Sequence, residues 1–199
     1  MATSPPTTPF FGARFSLYPM SDRYVPLILN AIGDLGSSGL EVETDDVSTF
    51  LGGDRDAVFA HLEHAFAAVA RTGTHVVMTM LVSHGCPGET YCEAPGGVQP
   101  PAPATSTDGR TGVDVSCQWS LYPLGVPGYM DVIYREIDRT KSAKVWRQGR
   151  HFVSQLGGDL HEVLSAVRTS FDAACHDVPH VTAHIVVSAN SPSPKGVMQ

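Results

Sequence analysis

The chain repeats itself, and that one feature limits its architecture more than any other. Arg14-Phe-Ser-Leu-Tyr-Pro-Met20 returns as Gln118-Trp-Ser-Leu-Tyr-Pro-Leu124 at an offset of 104. Gly52-Gly-Asp54 returns as Gly157-Gly-Asp159 at an offset of 105, and Phe66, His75 and Ser83 meet Phe171, His180 and Ser188 at the same offset. A single inserted residue near Gly125 accounts for the change. Two copies of one unit that keep register over this span are expected to fold alike. The copies fall at 13–84 and 113–189. Between them, 85–112 is rich in Pro, Gly, Ser and Thr, and reads as a linker too polar to bury a core.

Within one unit, Ala13 to Tyr18 alternates and stops at Pro19, which cannot continue a ladder, so it reads as a strand. Arg23 to Leu35 sets Val25, Ile28, Leu29 and Ile32 on one helical stripe. Leu40 to Thr44 and Val47 to Leu51 read as short strands around Asp45-Asp46. Asp54 can cap a helix whose face carries Val58, Phe59, Leu62, Phe66 and Val69. Thr74 to Ser83 closes the unit as a β-branched strand. The second copy repeats the order, with Val163, Leu164, Val167 and Phe171 on its helix stripe. The fold class is α+β: tandem ferredoxin-like βαββαβ repeats, each an antiparallel sheet with its helices on one face.

Strand alternation then assigns faces. Phe15, Leu17, Val76, Met78, Met80 and Val82 should lie under the helices. Ser16, Tyr18, His75, Val77, Thr79 and Leu81 should occupy the open face, joined there by Thr49. Leu40 and Val42 are expected to point inward, Glu41 and Glu43 outward. In the second copy Trp119 and Leu121 point inward, while Ser120, Tyr122, His180, Thr182 and His184 are open and Ser154 takes the place of Thr49. Hydroxyls, a tyrosine and apolar side chains make a face suited to packing, against the other repeat or across a dimer, around a small polar pocket.

Bulk properties remove several classes. A formal net charge of −7 opposes a nucleic-acid partner. No apolar run approaches the ~18 residues that would span a bilayer, and MATSPPTTPF lacks a basic segment and apolar core, so a cytoplasmic protein is expected. The four cysteines form no C-x-x-C pair and read as reduced thiols. His61 and His64 are spaced as helix ligands can be, yet the stripe turns His64 to solvent and leaves His61 at its margin, so no metal and no cofactor are expected. No nucleophile elbow, phosphate loop or dinucleotide fingerprint is present, so no catalytic residue is assigned.

Phe15-Ser-Leu-Tyr-Pro-Met20, Asp46-Val-Ser-Thr49, Gly85-Cys-Pro-Gly88 and Ser188-Ala-Asn-Ser-Pro-Ser193, together with the tandem repeat, resemble the YkoF family of thiamine- and hydroxymethylpyrimidine-binding proteins. The resemblance implies a homodimer, one ligand site per repeat, and a part in uptake or handling of thiamine precursors, with possible association with a precursor transporter. It places binding at Ser16, Tyr18 and Thr49 and at Ser120, Tyr122 and Ser154. Relatives commonly carry His just before the third strand of the unit; here the first copy has Asp46 and the second His151, so the first departs from the pattern. The chemistry agrees: hydroxyls can donate to and accept from an aminopyrimidine, and a tyrosine ring can cover it. The expected function is non-catalytic binding of thiamine or hydroxymethylpyrimidine; the alternative is a small enzyme or a regulatory module on the same fold. Glu41, Glu43, Asp45 and Asp46 of the first copy become Trp146, Gln148, Arg150 and His151, so the first site should favour cationic thiazolium. The second should better accept neutral hydroxymethylpyrimidine or a phosphorylated form, with Trp146 as a stacking wall.

Overall fold

The computed structural model describes residues 11–85 and 109–193. Cys86, Cys92 and most of the expected linker lie outside them. The first repeat runs β1 (Phe11–Pro19), α1 (Tyr24–Ile32), a 3-10 turn (Leu35–Ser37), β2 (Glu41–Thr44), β3 (Thr49–Gly52), α2 (Arg55–Ala70) and β4 (Val76–His84). The second runs β5 (Asp114–Leu124), α3 (Tyr129–Ser142), β6 (Trp146–Arg150), β7 (Val153–Asp159), α4 (Leu160–Asp177) and β8 (His180–Ala189). Both are βαββαβ, as the periodicity predicts. The same local chemistry opens the second helix of each. Asp54 accepts from the Ala57 N–H and Asp159 from the His161 N–H, both at 3.0 Å, satisfying an N–H that the first turn leaves unpaired. The glycine before each cap, Gly53 at φ 139° and Gly158 at φ 147°, holds a backbone conformation that side chains disfavour.

The repeats do not pack sheet on sheet. They join edge to edge through antiparallel β4 and β8, from Val76 opposite Ala189 to His84 opposite Val181. One eight-stranded sheet results, in the order β2-β3-β1-β4-β8-β5-β7-β6. The expectation that one repeat covers the open face of the other is therefore corrected within the chain: the two open faces lie side by side. Two long, apolar edge strands need partners for their backbone groups, and pairing them satisfies every rung at once.

Under the helices the core runs continuously across the seam. Val76, Met78, Met80, Val82, Phe66, Phe171 and Ile185 are inaccessible to solvent. Phe11 lies between Phe59 and Phe171, at ring-centre distances of 6.2 and 6.1 Å. Arg55 of α2 crosses to the second repeat, pairing with Asp172 at 2.5 Å and lying over the Phe11 and Phe171 rings. Its guanidinium also meets His84 Nδ1 at 3.0 Å. Burial, reinforced by Arg55, holds His84 below the usual imidazole range.

Candidate functional site

The expected face assignments hold for β1 and β4 and fail at Thr49 and Ser154. Thr49 lies opposite Phe15, and Ser154 opposite Trp119, in antiparallel register. Directly opposed residues share a face, so both hydroxyls point to the helix side, where each residue is buried. Val42 lies opposite fully buried Leu51 and so points to the helix side as expected, although its edge strand leaves it partly exposed.

This places the first repeat's cleft somewhere the alternation did not suggest. A cavity of about 540 Å³ opens on the helix side, between α1 and the β2–β3 hairpin. Phe15, Leu17, Ile28 and Ile32 form its apolar bed, Tyr24 stands at one wall, and Thr44 to Thr49 form the polar side. Four expected residues border it: Ser16, Tyr18, Asp46 and Thr49. Their roles differ. Thr49 Oγ1 lies 3.1 Å from Thr44 Oγ1. Ser16 donates to the Val47 carbonyl at 2.8 Å, tying the hairpin loop to β1. Tyr18 is exposed on the sheet's other face. Asp46 stands at the rim, exposed and with no polar partner among the described residues.

Asp45, its neighbour, is committed to the fold. Its carboxylate accepts from the Ser48 N–H at 2.7 Å, the Val47 N–H at 2.8 Å and Arg14 at 3.1 Å. Those two backbone N–H groups, helped by Arg14, keep it ionised below the usual carboxylate range. Of the two loop acids that line the cavity, Asp46 is therefore the one without a polar partner among the described residues.

The second repeat keeps the framework and changes the chemistry. Ser120 donates to the Phe152 carbonyl at 2.9 Å, the counterpart of the Ser16 bond. Ser154 is buried behind the hairpin and Tyr122 is exposed on the open face, as Tyr18 is. His151 lines a recess of about 330 Å³ with Gly149 and Arg150, at the hairpin position that Asp46 holds in the first repeat. Trp119 stands at the position of Phe15, buried on the helix side. Trp146 does not stand free as a wall: Lys141 Nζ lies 5.3 Å from the centre of its ring.

The matching geometry of the two halves agrees with what comparison finds. A family described as the YKOF-related family matches residues 10–89 and again 114–194. The chain belongs to this family. A relative from Bacillus subtilis (strain 168), named "Putative HMP/thiamine-binding protein YkoF", is 34% identical over 195 residues, covering 97% of this chain and 96% of its own.

One polar cluster escaped the sequence reading. His161 of α4 meets Glu63 of α2 at 3.0 Å through Nδ1 and Ser165 Oγ at 3.3 Å through Nε2, and Arg168 meets Asp56 at 2.8 Å. The connectivity is that of a hydrolytic triad, but the adjoining space is about 60 Å³, far below the several hundred a substrate needs. Its logic is structural. At the repeat offset Asp56 corresponds to His161 and Glu63 to Arg168, so α2 supplies both acids and α4 both partners. That complementarity was visible in the offset itself. His61, expected at the helix margin, is buried, and burial lowers its basicity. Among the described residues, no group of three or more His, Cys, Asp or Glu could hold a metal, and no helix is long and apolar enough to cross a membrane.

Proposed function

We propose that this protein binds thiamine or its hydroxymethylpyrimidine precursor, one molecule per repeat, and releases it chemically unchanged. The observation that carries the reading is the cleft between α1 and the β2–β3 hairpin. An apolar bed faces a row of hydroxyls, with one uncommitted carboxylate at the rim. A flat heterocycle buries its faces on such a bed, while its ring nitrogens and exocyclic amine pair with Thr49, Thr44 and Asp46. The name of the Bacillus subtilis relative points to the same ligand class. Nothing in the cleft supplies a nucleophile with a base beside it, which supports binding over conversion. The open sheet face, where Tyr18, Leu81 and Tyr122 are exposed, suits a homodimer contact, and a small carrier of this kind fits handling of thiamine precursors beside a transporter.

The test is a thermal-shift screen with thiamine, hydroxymethylpyrimidine, their phosphates and unrelated heterocycles, followed by recovery of the ligand. A ligand that binds only the native state adds about 2.7 kcal/mol of stability at a hundredfold excess over Kd. Stabilisation confined to the thiamine-related compounds, recovered intact, is expected. No shift from any of them, or recovery of a cleaved product, would overturn the reading.

A further inference from the structure

The two hairpins that border the clefts carry opposite charge. In the first repeat positions 14, 41, 43, 45 and 46 hold one cation and four carboxylates; their counterparts 118, 146, 148, 150 and 151 hold one arginine, one histidine and no carboxylate. The structure separates the parts of this difference that bear on a ligand from those that do not. Arg14 and the turn N–H groups neutralise Asp45, and Arg14 also reaches Glu43 at 3.6 Å. That leaves Asp46 facing outward. In the second repeat the loop is only His151-Phe152, with Phe152 at φ 68°. Arg150 is the last residue of β6 and His151 the first of the two turn residues, and both line the recess.

One further feature of the recess bears on a ligand there. Gly149 stands where the first repeat has Thr44, and a Cβ at Gly149 would meet nothing within 4 Å. The backbone of the recess is open to close approach by a bulky group.

We propose that the second repeat's recess is a phosphate-ester site: it takes the phosphorylated aminopyrimidine, while the first repeat takes the unphosphorylated or cationic form. The proposal rests on the ligand class proposed above. Gln148 holds one edge of the Arg150 guanidinium, its amide oxygen accepting from Nη2 at 3.0 Å and Nε at 3.2 Å; the charge and the remaining N–H groups are left for phosphate oxygens, and His151 adds a second donor. At the same place in the first repeat Asp46 repels a dianion. One carrier then holds the two ionic states of a single heterocycle on separate hairpins.

The chain provides a selective probe, because its two tryptophans, Trp119 and Trp146, both lie in the second repeat. Intrinsic fluorescence reports that repeat, and calorimetry counts both sites. Hydroxymethylpyrimidine and its phosphate ester are titrated into the full chain at low and high salt. The expected result is a fluorescence response with the phosphate ester binding about tenfold tighter than the free alcohol at low salt, the gap shrinking as salt screens it. Arg150→Gln with His151→Gln should abolish the preference while circular dichroism is unchanged. Asp46→Arg should raise phosphate-ester affinity at the first site, seen as a second calorimetric site. Binding of the alcohol by calorimetry, with equal fluorescence titrations for both compounds and no effect of the Arg150 and His151 changes, would overturn this proposal and leave the binding function standing. Absence of any binding by calorimetry would overturn both.

Discussion

Replacing Thr49 by valine removes one hydroxyl and keeps the shape. Thr49 is 6% exposed, so its methyl remains packed beside Phe15 and beneath the hairpin. In the free protein the change breaks one bond, to Thr44 Oγ1 at 3.1 Å. Thr44 is exposed and pairs with water instead, so the stability loss should stay below about 1 kcal/mol, or roughly 2–4 °C in Tm for a chain of this size. With ligand bound, no water takes the vacant place. The heterocycle atom that Thr49 served is left unsatisfied, at about 1–3 kcal/mol, which is roughly 5- to 150-fold in affinity. Calorimetry on the full chain should show one site of two weakened by that factor and the other unaltered. Thr44→Val breaks the same bond from the exposed side, so its Tm calibrates how much of the Thr49→Val effect is structural. If Thr49→Val leaves affinity and stoichiometry unchanged, Thr49 is not a contact. If it lowers Tm by 10 °C or more, the residue is structural and the argument from its hydroxyl is wrong.

Phe171→Ala and Phe66→Ala should each cost about 3–5 kcal/mol. Because the core crosses the β4–β8 seam, each should still unfold in one step, with tryptophan fluorescence and circular dichroism transitions superimposed; two separated transitions would refute a shared core. His84 should make stability pH-dependent. Its folded basicity lies below its unfolded value, so the unfolded chain binds the extra proton. Its contribution is full above about pH 6.5 and is lost as pH falls through its folded value. Urea denaturation between pH 5 and 8 should show a steeper slope in wild type than in His84→Gln, which keeps the share of buried His61; equal slopes would refute a role for His84. Cys117, fully buried and pushed up to about 12 by desolvation, should resist thiol reagents until the protein unfolds; rapid labelling of Cys117 in the native state, read by mass spectrometry, would contradict its placement.

The sequence made the elements legible because each depends on local pattern. Alternation exposes β4 through Val76, Met78, Met80 and Val82, and the Gly-Gly-Asp step marks where each long helix begins. The same rule, followed through, also turns Thr49 inward: Leu51, two residues on, is fully buried, and a period of two carries Thr49 to its side. What local pattern could not reveal is pairing between distant parts. Nothing in β4 or β8 alone says that they meet, and the Arg55 contacts with Asp172 and His84 span 117 and 29 residues. The cleft's position depends on how α1 leans over the hairpin, which the amphipathic stripe of α1 leaves open.

The seam between β4 and β8 has a consequence for how this molecule can change. Two separate copies of one repeat could join along the same strands as a symmetric pair, and a change in one gene would then alter both sites together. Here the halves are covalently one chain, and their β2–β3 and β6–β7 hairpins sit at opposite ends of a sheet whose outer strands are roughly 34 Å apart at the usual strand spacing. A substitution at Asp46 never touches His151. Fusion along the middle has freed the two ends to specialise.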